Sequence, residues 1–163
     1  MKTFLKFLLL VVLLNLVRYV SGFHLEGWLV IPGMFGVMEK FPENFNNNFS
    51  STDFAISLFY NFMLWLAMAW IFHLAHPNVK GGFVLKSLKI YGISCLFFLS
   101  LTAVYMNHFN DAVQPFYLYS MLYALILFPL VAMANGLIYP RLFKTQLPHY
   151  FSKLSFGDLA QKC

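Results

Sequence analysis

Arg18 is a charged residue deep inside the first long apolar run of the sequence, and its chemistry makes it the first candidate for a binding site. Arg18 comes six residues before His24, which is about 9 Å of helix rise. Inserting an arginine costs about 2.5–3.5 kcal/mol at the centre of a bilayer and less near its edge. A guanidinium at this depth can hold a phosphate or a carboxylate through paired hydrogen bonds.

Polar residues at comparable depths in the other apolar runs extend this candidate site. If the runs are antiparallel helices, one pocket in the outer leaflet can be built from Arg18, Asn61, Thr102, Tyr105, Tyr119 and Tyr123. We predict that these six are ligand-binding residues for a lipid-like or quinone-like molecule. In the alternative interpretation, Arg18 extends to the membrane surface and bonds Glu26 or a lipid phosphate.

A second group of titratable residues falls at the outer ends of the first and third runs. The group consists of His24, Glu26, His108 and Asp111. Imidazole and carboxylate groups together can move a proton or bind a metal, so these are the candidate catalytic residues of a membrane enzyme. Their spacing matches no known signature, and ordinary interfacial polar residues give the same pattern.

Two more histidines lie near the C-terminal end of the second run. His73 and His76 are three residues apart and therefore share one face of a helix. A single pair is too sparse for a metal centre, so we predict no metal. No residue pattern identifies a cofactor.

Four apolar runs must position these residues. They cover about residues 4–23, 54–74, 88–106 and 116–138, each near the roughly 20 residues that a transmembrane helix needs. The whole chain is 60% hydrophobic and only 10% charged, whereas a soluble domain carries about 25% charged residues. We predict one all-α membrane domain over residues 1–163, an antiparallel bundle of four transmembrane helices.

The positive charges predict how this bundle is oriented, because cytoplasmic segments of membrane proteins are enriched in Lys and Arg. With the N-terminus inside, the outer segments hold only one basic residue, Lys40. The inner ones hold Lys2, Lys6, Lys80, Lys86, Lys89, Arg141, Lys144, Lys153 and Lys162. We therefore predict cytoplasmic termini, an outer loop at 24–53, an inner loop at 75–87 and an inner tail at 139–163. Size and the lack of organelle signals favour a bacterial inner (plasma) membrane.

The first 22 residues have a second interpretation. Lys2 and Lys6 precede an apolar block that ends near Val20-Ser21-Gly22, the pattern of a cleavable signal peptide. Asn15 and Arg18 interrupt that pattern and favour a retained helix.

The outer loop and the tail contain apolar residues that need an explanation. Phe41, Phe45 and Phe49 would form one stripe if their segment were a helix on the membrane surface, and a lid packed over the bundle explains them equally well. In the tail, helical spacing predicts a short amphipathic segment containing Leu147, Tyr150, Phe151 and Leu154.

Small residues in the fourth run predict where helices pack. Ser120, Ala124, Ala132 and Gly136 lie on one track of period four that Phe128 interrupts, and another helix can approach closely along it. Pro129 should kink the run. One asparagine lies in or directly after each run, and we expect each of them to bond a neighbouring helix: Asn15, Asn61, Asn107 and Asn135.

Three functions remain open at this point. The chain is a binding or accessory protein, a small membrane enzyme, or a structural subunit that packs with other membrane subunits or with copies of itself. Its partners in each case include the lipid bilayer. The net charge of +5 is spread over short segments rather than one patch, which argues against nucleic acid.

Overall fold

The computed structural model describes residues 2–46, 48, 50–108 and 111–143, and the described residues contain helices and no strand. The helices are α1 (Lys2–Leu29), α2 (Ile31–Lys40), α3 (Ser51–Ala75), α4 (Phe83–Met106) and α5 (Gln114–Phe143). Short 3₁₀ turns follow α2 at Pro42–Asn44 and α3 at His76–Asn78. Four of the helices, α1, α3, α4 and α5, are long and apolar enough to cross a membrane, which supports a membrane protein.

Local sequence signals set the start of α3 and the start of α4. Ser50 and Asp53 form a capping box, in which the Asp53 N–H donates to Ser50 Oγ at 3.2 Å and the Ser50 N–H donates to the Asp53 carboxylate at 2.9 Å. After α3, Gly81 adopts a φ of 121°, which favours glycine, and α4 begins two residues later.

Contacts between side chains show how the long helices run. The Phe7 ring meets Trp70 while Tyr19 meets Asn61, so α1 and α3 are antiparallel. Helices α4 and α5 are antiparallel as well, because Ser87 lies opposite Asn135 near one end of the pair and the rings of Phe98 and Phe128 lie side by side further along.

This arrangement separates the charges along the bundle. One end, which we call the basic end, combines the start of α1, the end of α3, the start of α4 and the end of α5. It carries Lys2, Lys6, Lys80, Lys86, Lys89 and Arg141 among the described residues. The opposite end, the acidic end, carries Glu26, Glu39, Glu43, Asp53 and Asp111, with Lys40 as its one described lysine.

The core and the outer surface of the bundle are both apolar. Leu10, Trp65 and Val131 are fully buried where α1, α3 and α5 meet, yet Ile93 and Phe97 on α4 remain 69% and 71% exposed. Exposed apolar side chains occur along all four long helices. A surface of this kind is unfavourable in water and favourable against lipid tails.

Helices α4 and α5 pack extensively and closely against each other. Gly136 is buried and lies directly against the backbone of Val84. One residue earlier, the Asn135 amide donates a 3.0 Å hydrogen bond to Ser87 Oγ, and both side chains are fully buried. Further along the pair, the Cys95 thiol lies 3.8 Å from the Ala124 carbonyl oxygen.

The predicted small-residue track therefore lies mostly inside the bundle. Ala124, Ala132 and Gly136 are buried, and Ser120 is half-buried. Phe128 fills the interruption in the track, with its ring 5.5 Å from that of Trp65 and 6.3 Å from that of Phe98. Helix α5 continues without a break through Pro129.

Two of the four asparagines form the predicted bonds between helices. Asn135 bonds α4, and Asn61 donates to Tyr19 Oη of α1 at 3.0 Å. The expectation is wrong for Asn15, whose amide donates to the Val11 carbonyl of its own helix. Asn107 is exposed at the end of α4.

The segment predicted as the outer loop, residues 24–53, is largely helical. Helix α1 continues to Leu29, and α2 packs against α5 and α1. Beyond α2, the Phe45 ring lies 5.0 Å from that of Phe116 at the start of α5. The helix that would align Phe41 with Phe45 does not form, because a 3₁₀ turn separates them, so these contacts favour the lid interpretation. Phe49 and the predicted tail segment lie outside the described residues.

Candidate functional site

Arg18 lies among aromatic side chains, just on the acidic-end side of the middle of α1. Its guanidinium carbon is 4.4 Å from the centre of the Tyr19 ring and 6.0 Å from that of Tyr123 on α5. Both distances allow cation–π attraction, which stabilises an arginine in a water-poor environment. The Arg18 Nε–H is nevertheless buried without a hydrogen-bond partner.

A chain of hydrogen bonds holds the Tyr19 ring beside the guanidinium. The Asn61 amide donates to Tyr19 Oη, and the Asn61 carbonyl oxygen accepts from Trp65 Nε1 at 3.1 Å. Trp65 is fully buried and therefore well fixed. Asn61 thus acts on Arg18 through Tyr19 and not by direct contact.

Glu26 belongs to the same face of α1 as Arg18, with Gly22 halfway between them. Residues four apart share a helical face. The Glu26 side chain folds back over Gly22, since a Cβ atom at Gly22 would overlap the Glu26 carboxylate. Because Gly22 has no side chain, the Glu26 carboxylate can lie beside it and so come closer to Arg18.

These residues line an open groove, here called the polar groove, on the outside of α1. It has a volume of about 400 Å³, and its lining includes Arg18, Tyr19, Gly22, Phe23, Glu26 and Ile31. Tyr123 approaches from α5 and shares a narrow gap with Gly22 and Glu26.

Three buried polar atoms around the polar groove have no hydrogen-bond partner. They are Arg18 Nε, Glu26 Oε1 and Tyr123 Oη. Such atoms are rare in native proteins because each unpaired group loses its hydration without compensation. Arg18 thus supplies a hydrogen-bond donor, Glu26 supplies an acceptor, and the Tyr123 hydroxyl can act as either.

Three of the six predicted ligand-binding residues lie away from the polar groove. Thr102 and Tyr105 are in the last turns of α4, next to the acidic end, and Tyr105 is 56% exposed. The Tyr119 ring packs directly against Gly33 of α2. None of the three lines the polar groove, whereas Arg18 lines it and Tyr123 borders it.

The structure does not gather the candidate catalytic residues into one centre. His24 is exposed, with its ring 5.5 Å from that of Phe23, and His108 is exposed beyond the end of α4. The exposed Asp111 carboxylate accepts a 2.9 Å hydrogen bond from Gln114. Only Glu26 lines the polar groove. Within the described part of the chain, no three His, Cys, Asp or Glu residues are grouped closely enough to hold a metal.

The histidine pair at the basic end has structural partners. His73 Nδ1 shares a 2.5 Å hydrogen bond with Tyr139 Oη and so joins α3 to α5. His76 Nδ1 lies 3.0 Å from the His73 carbonyl oxygen, and its ring stacks on Phe72. Lys86 donates to the His76 carbonyl at 2.8 Å, which joins α4 to the same end.

Two apolar grooves follow one another between α1 and α3, from the polar groove toward the basic end. Their volumes are about 430 Å³ and about 540 Å³, and they share no lining residue. Tyr19 lines both the polar groove and the first of them, and Phe4, Ala67 and Trp70 line the second. From Tyr19 to Phe4 the two grooves together follow α1 for about 22 Å. We call the two grooves the α1–α3 furrow.

Tyr19 and Gly22 are among the lining residues of the polar groove that were not predicted from the sequence. Gly22 was interpreted only as part of a cleavage site, although its four-residue spacing from both Arg18 and Glu26 predicts a shared face. Tyr19 follows Arg18 directly, and nothing in the sequence distinguishes it from a lipid-facing tyrosine.

Comparison with protein-family models, with curated proteins and with solved structures finds no match for this chain.

Proposed function

We propose that this protein spans the membrane four times and binds a lipid-like or quinone-like molecule on α1. The observation that supports the ligand is the cluster of unpaired polar atoms on Arg18, Glu26 and Tyr123 at the mouth of an apolar furrow. An amphiphile has the same order of parts, with a polar head joined to a long apolar tail.

The dimensions of the α1–α3 furrow suit such a tail. Its length of about 22 Å exceeds the roughly 15 Å of hydrocarbon in one leaflet. Its lining is apolar almost throughout, with Asn15 bonded within its own helix. A tail in this furrow would contact Phe59 and Phe62 before it reached Trp70.

The proposed orientation places the basic end of the bundle in the cytoplasm. Lys and Arg next to the spans are retained on the cytoplasmic side, and the described residues carry six of them at the basic end against Lys40 at the acidic end. The polar groove then opens in the outer leaflet. We place the protein in a bacterial inner membrane with both termini cytoplasmic.

The other two functions have less support from the site. An enzyme at the acidic end would need His24, His108 and Asp111 near Glu26, and these residues stay apart. A subunit that packs through the small-residue track would need that track exposed, and the α4–α5 contact already buries Gly136.

Blocking the α1–α3 furrow should reduce the amount of amphiphile that copurifies with the protein. Ala67→Trp places a large ring in the wider groove, where Ala67 is exposed and lines the wall. We expect at least about a fivefold lower molar ratio of bound amphiphile to protein, because loss of about 1 kcal/mol of apolar contact weakens binding by that factor. Mass spectrometry of the organic extract measures this ratio.

Ala55→Trp is the matched control for this experiment. Ala55 is exposed on the same helix, and it is not among the residues that line either groove. The control should copurify as much amphiphile as the unmodified protein. Equal loss in both variants, or no loss in either, would contradict binding in the furrow.

A further inference from the structure

The polar groove contains two opposite charges, and this pairing restricts the head group that it can bind. Arg18 supplies a cation and Glu26 a carboxylate, and no other charged side chain in the described part of the chain lines the groove. A head group with only negative charge would face Glu26 as well as Arg18. A head group with only positive charge would face Arg18.

The two charges are separated by a short distance along α1. Eight residues correspond to about 12 Å between the backbone positions, but the Glu26 side chain folds back to the level of Gly22, four residues or about 6 Å from Arg18. The free atoms are also complementary, since Arg18 Nε–H can donate and Glu26 Oε1 can accept.

We propose that the polar groove selects a zwitterionic phospholipid head group that carries a primary ammonium. The phosphate binds the Arg18 guanidinium, and the ammonium donates to the Glu26 carboxylate. The Tyr123 hydroxyl lies close to both Arg18 and Glu26 on the α5 side. This inference rests on the proposed function, because it names the ligand class of the same site.

Three lipids with identical tails test the inference on the unmodified protein. The purified protein is titrated with phosphatidylethanolamine, phosphatidylcholine and phosphatidylglycerol. Native mass spectrometry measures how much of each lipid is bound. We expect phosphatidylethanolamine to bind about tenfold more tightly than phosphatidylglycerol, since a hydrogen bond between charged groups contributes about 1.5–3 kcal/mol. Phosphatidylcholine should bind less tightly than phosphatidylethanolamine, because its quaternary ammonium has no N–H to donate. Equal affinities for the three lipids would overturn the inference.

A charge-removing variant identifies the residue responsible. Glu26→Gln should lower the preference for phosphatidylethanolamine over phosphatidylglycerol by about tenfold. Glu39→Gln is the control, because Glu39 is exposed on α2 at the same end and does not line the groove. An unchanged preference in Glu26→Gln would overturn the inference.

Failure of the inference is distinguishable from failure of the proposed function. If the protein binds lipid in a manner that Ala67→Trp reduces, but shows no preference that depends on Glu26, only the head-group assignment is wrong. If no lipid binding depends on Ala67 or Arg18, the proposed function itself is wrong.

Discussion

Replacing Gly136 by leucine is expected to separate α4 from α5 and to destabilise the whole bundle. A Cβ atom at this position would lie 2.8 Å from Val84 N and 3.0 Å from the Phe83 carbonyl oxygen. These are backbone atoms, which cannot rotate away as a side chain can. Overpacking costs about 1–3 kcal/mol where neighbours adjust, so we expect a loss of at least about 3 kcal/mol here. The measurement is the free energy of unfolding in a titration from mild detergent into sodium dodecyl sulfate.

Gly92→Leu is the matched control for this prediction. Gly92 is in the middle of α4, and a Cβ atom there would meet nothing within 4 Å. Because glycine is about 1 kcal/mol worse than alanine inside a helix, the control should be as stable as the original chain or slightly more so. Equal losses in both leucine variants would show that the α4–α5 contact is not as close as described.

Replacing Arg18 by leucine should remove the amphiphile while leaving the bundle folded. Arg18 provides a charged donor in the polar groove, and a charged hydrogen bond contributes about 1.5–3 kcal/mol, which corresponds to roughly a 10- to 100-fold loss of affinity. Insertion should become easier, since an arginine within a span costs up to about 2.5–3.5 kcal/mol. The amount of copurified amphiphile and the yield of protein in the membrane measure the two effects.

Arg141→Leu controls for the loss of a positive charge. Arg141 is exposed at the basic end, where it donates to the Leu137 carbonyl of its own helix. It should retain the amphiphile at the level of the unmodified protein. Retention in both arginine variants would mean that Arg18 serves only as an interfacial anchor.

The long helices were predictable because their signals are local. Twenty or so apolar residues between charged segments indicate a span, and each of the four predicted runs lies within one long helix. The second run was predicted to begin at residue 54, and α3 begins three residues earlier, where Ser50 and Asp53 form its cap. Such features depend on neighbouring residues alone.

The composition of the polar groove was less predictable for two physical reasons. The end of α1 was predicted near residue 23, but the helix continues to Leu29, and this extension places Glu26 on the face of Arg18. Depth matching also grouped Thr102 and Tyr105 with Arg18, although depth does not determine which helices are neighbours. Helix α4 packs against α5 and α3, whereas the polar groove lies on α1.

The small-residue track shows the same limit. Its period of four predicted a close helix contact on that face of α5, and Gly136 makes one. The identity of the neighbour was not predictable, because α4 and a separate protein would both fit such a surface. The neighbour is set by the connection between α4 and α5, which is short enough to keep them adjacent.

The orientation of the two ends of the bundle is the claim on which the outer-leaflet site depends. Its most direct test is the labelling of single cysteines at Glu43 and Lys80 in a chain without Cys95 and Cys163, using a maleimide that does not cross membranes. Both positions are exposed in connections between helices, one at each end. We expect labelling at position 43 in intact cells and at position 80 only after permeabilisation. Labelling of position 80 in intact cells, with or without position 43, would contradict the account.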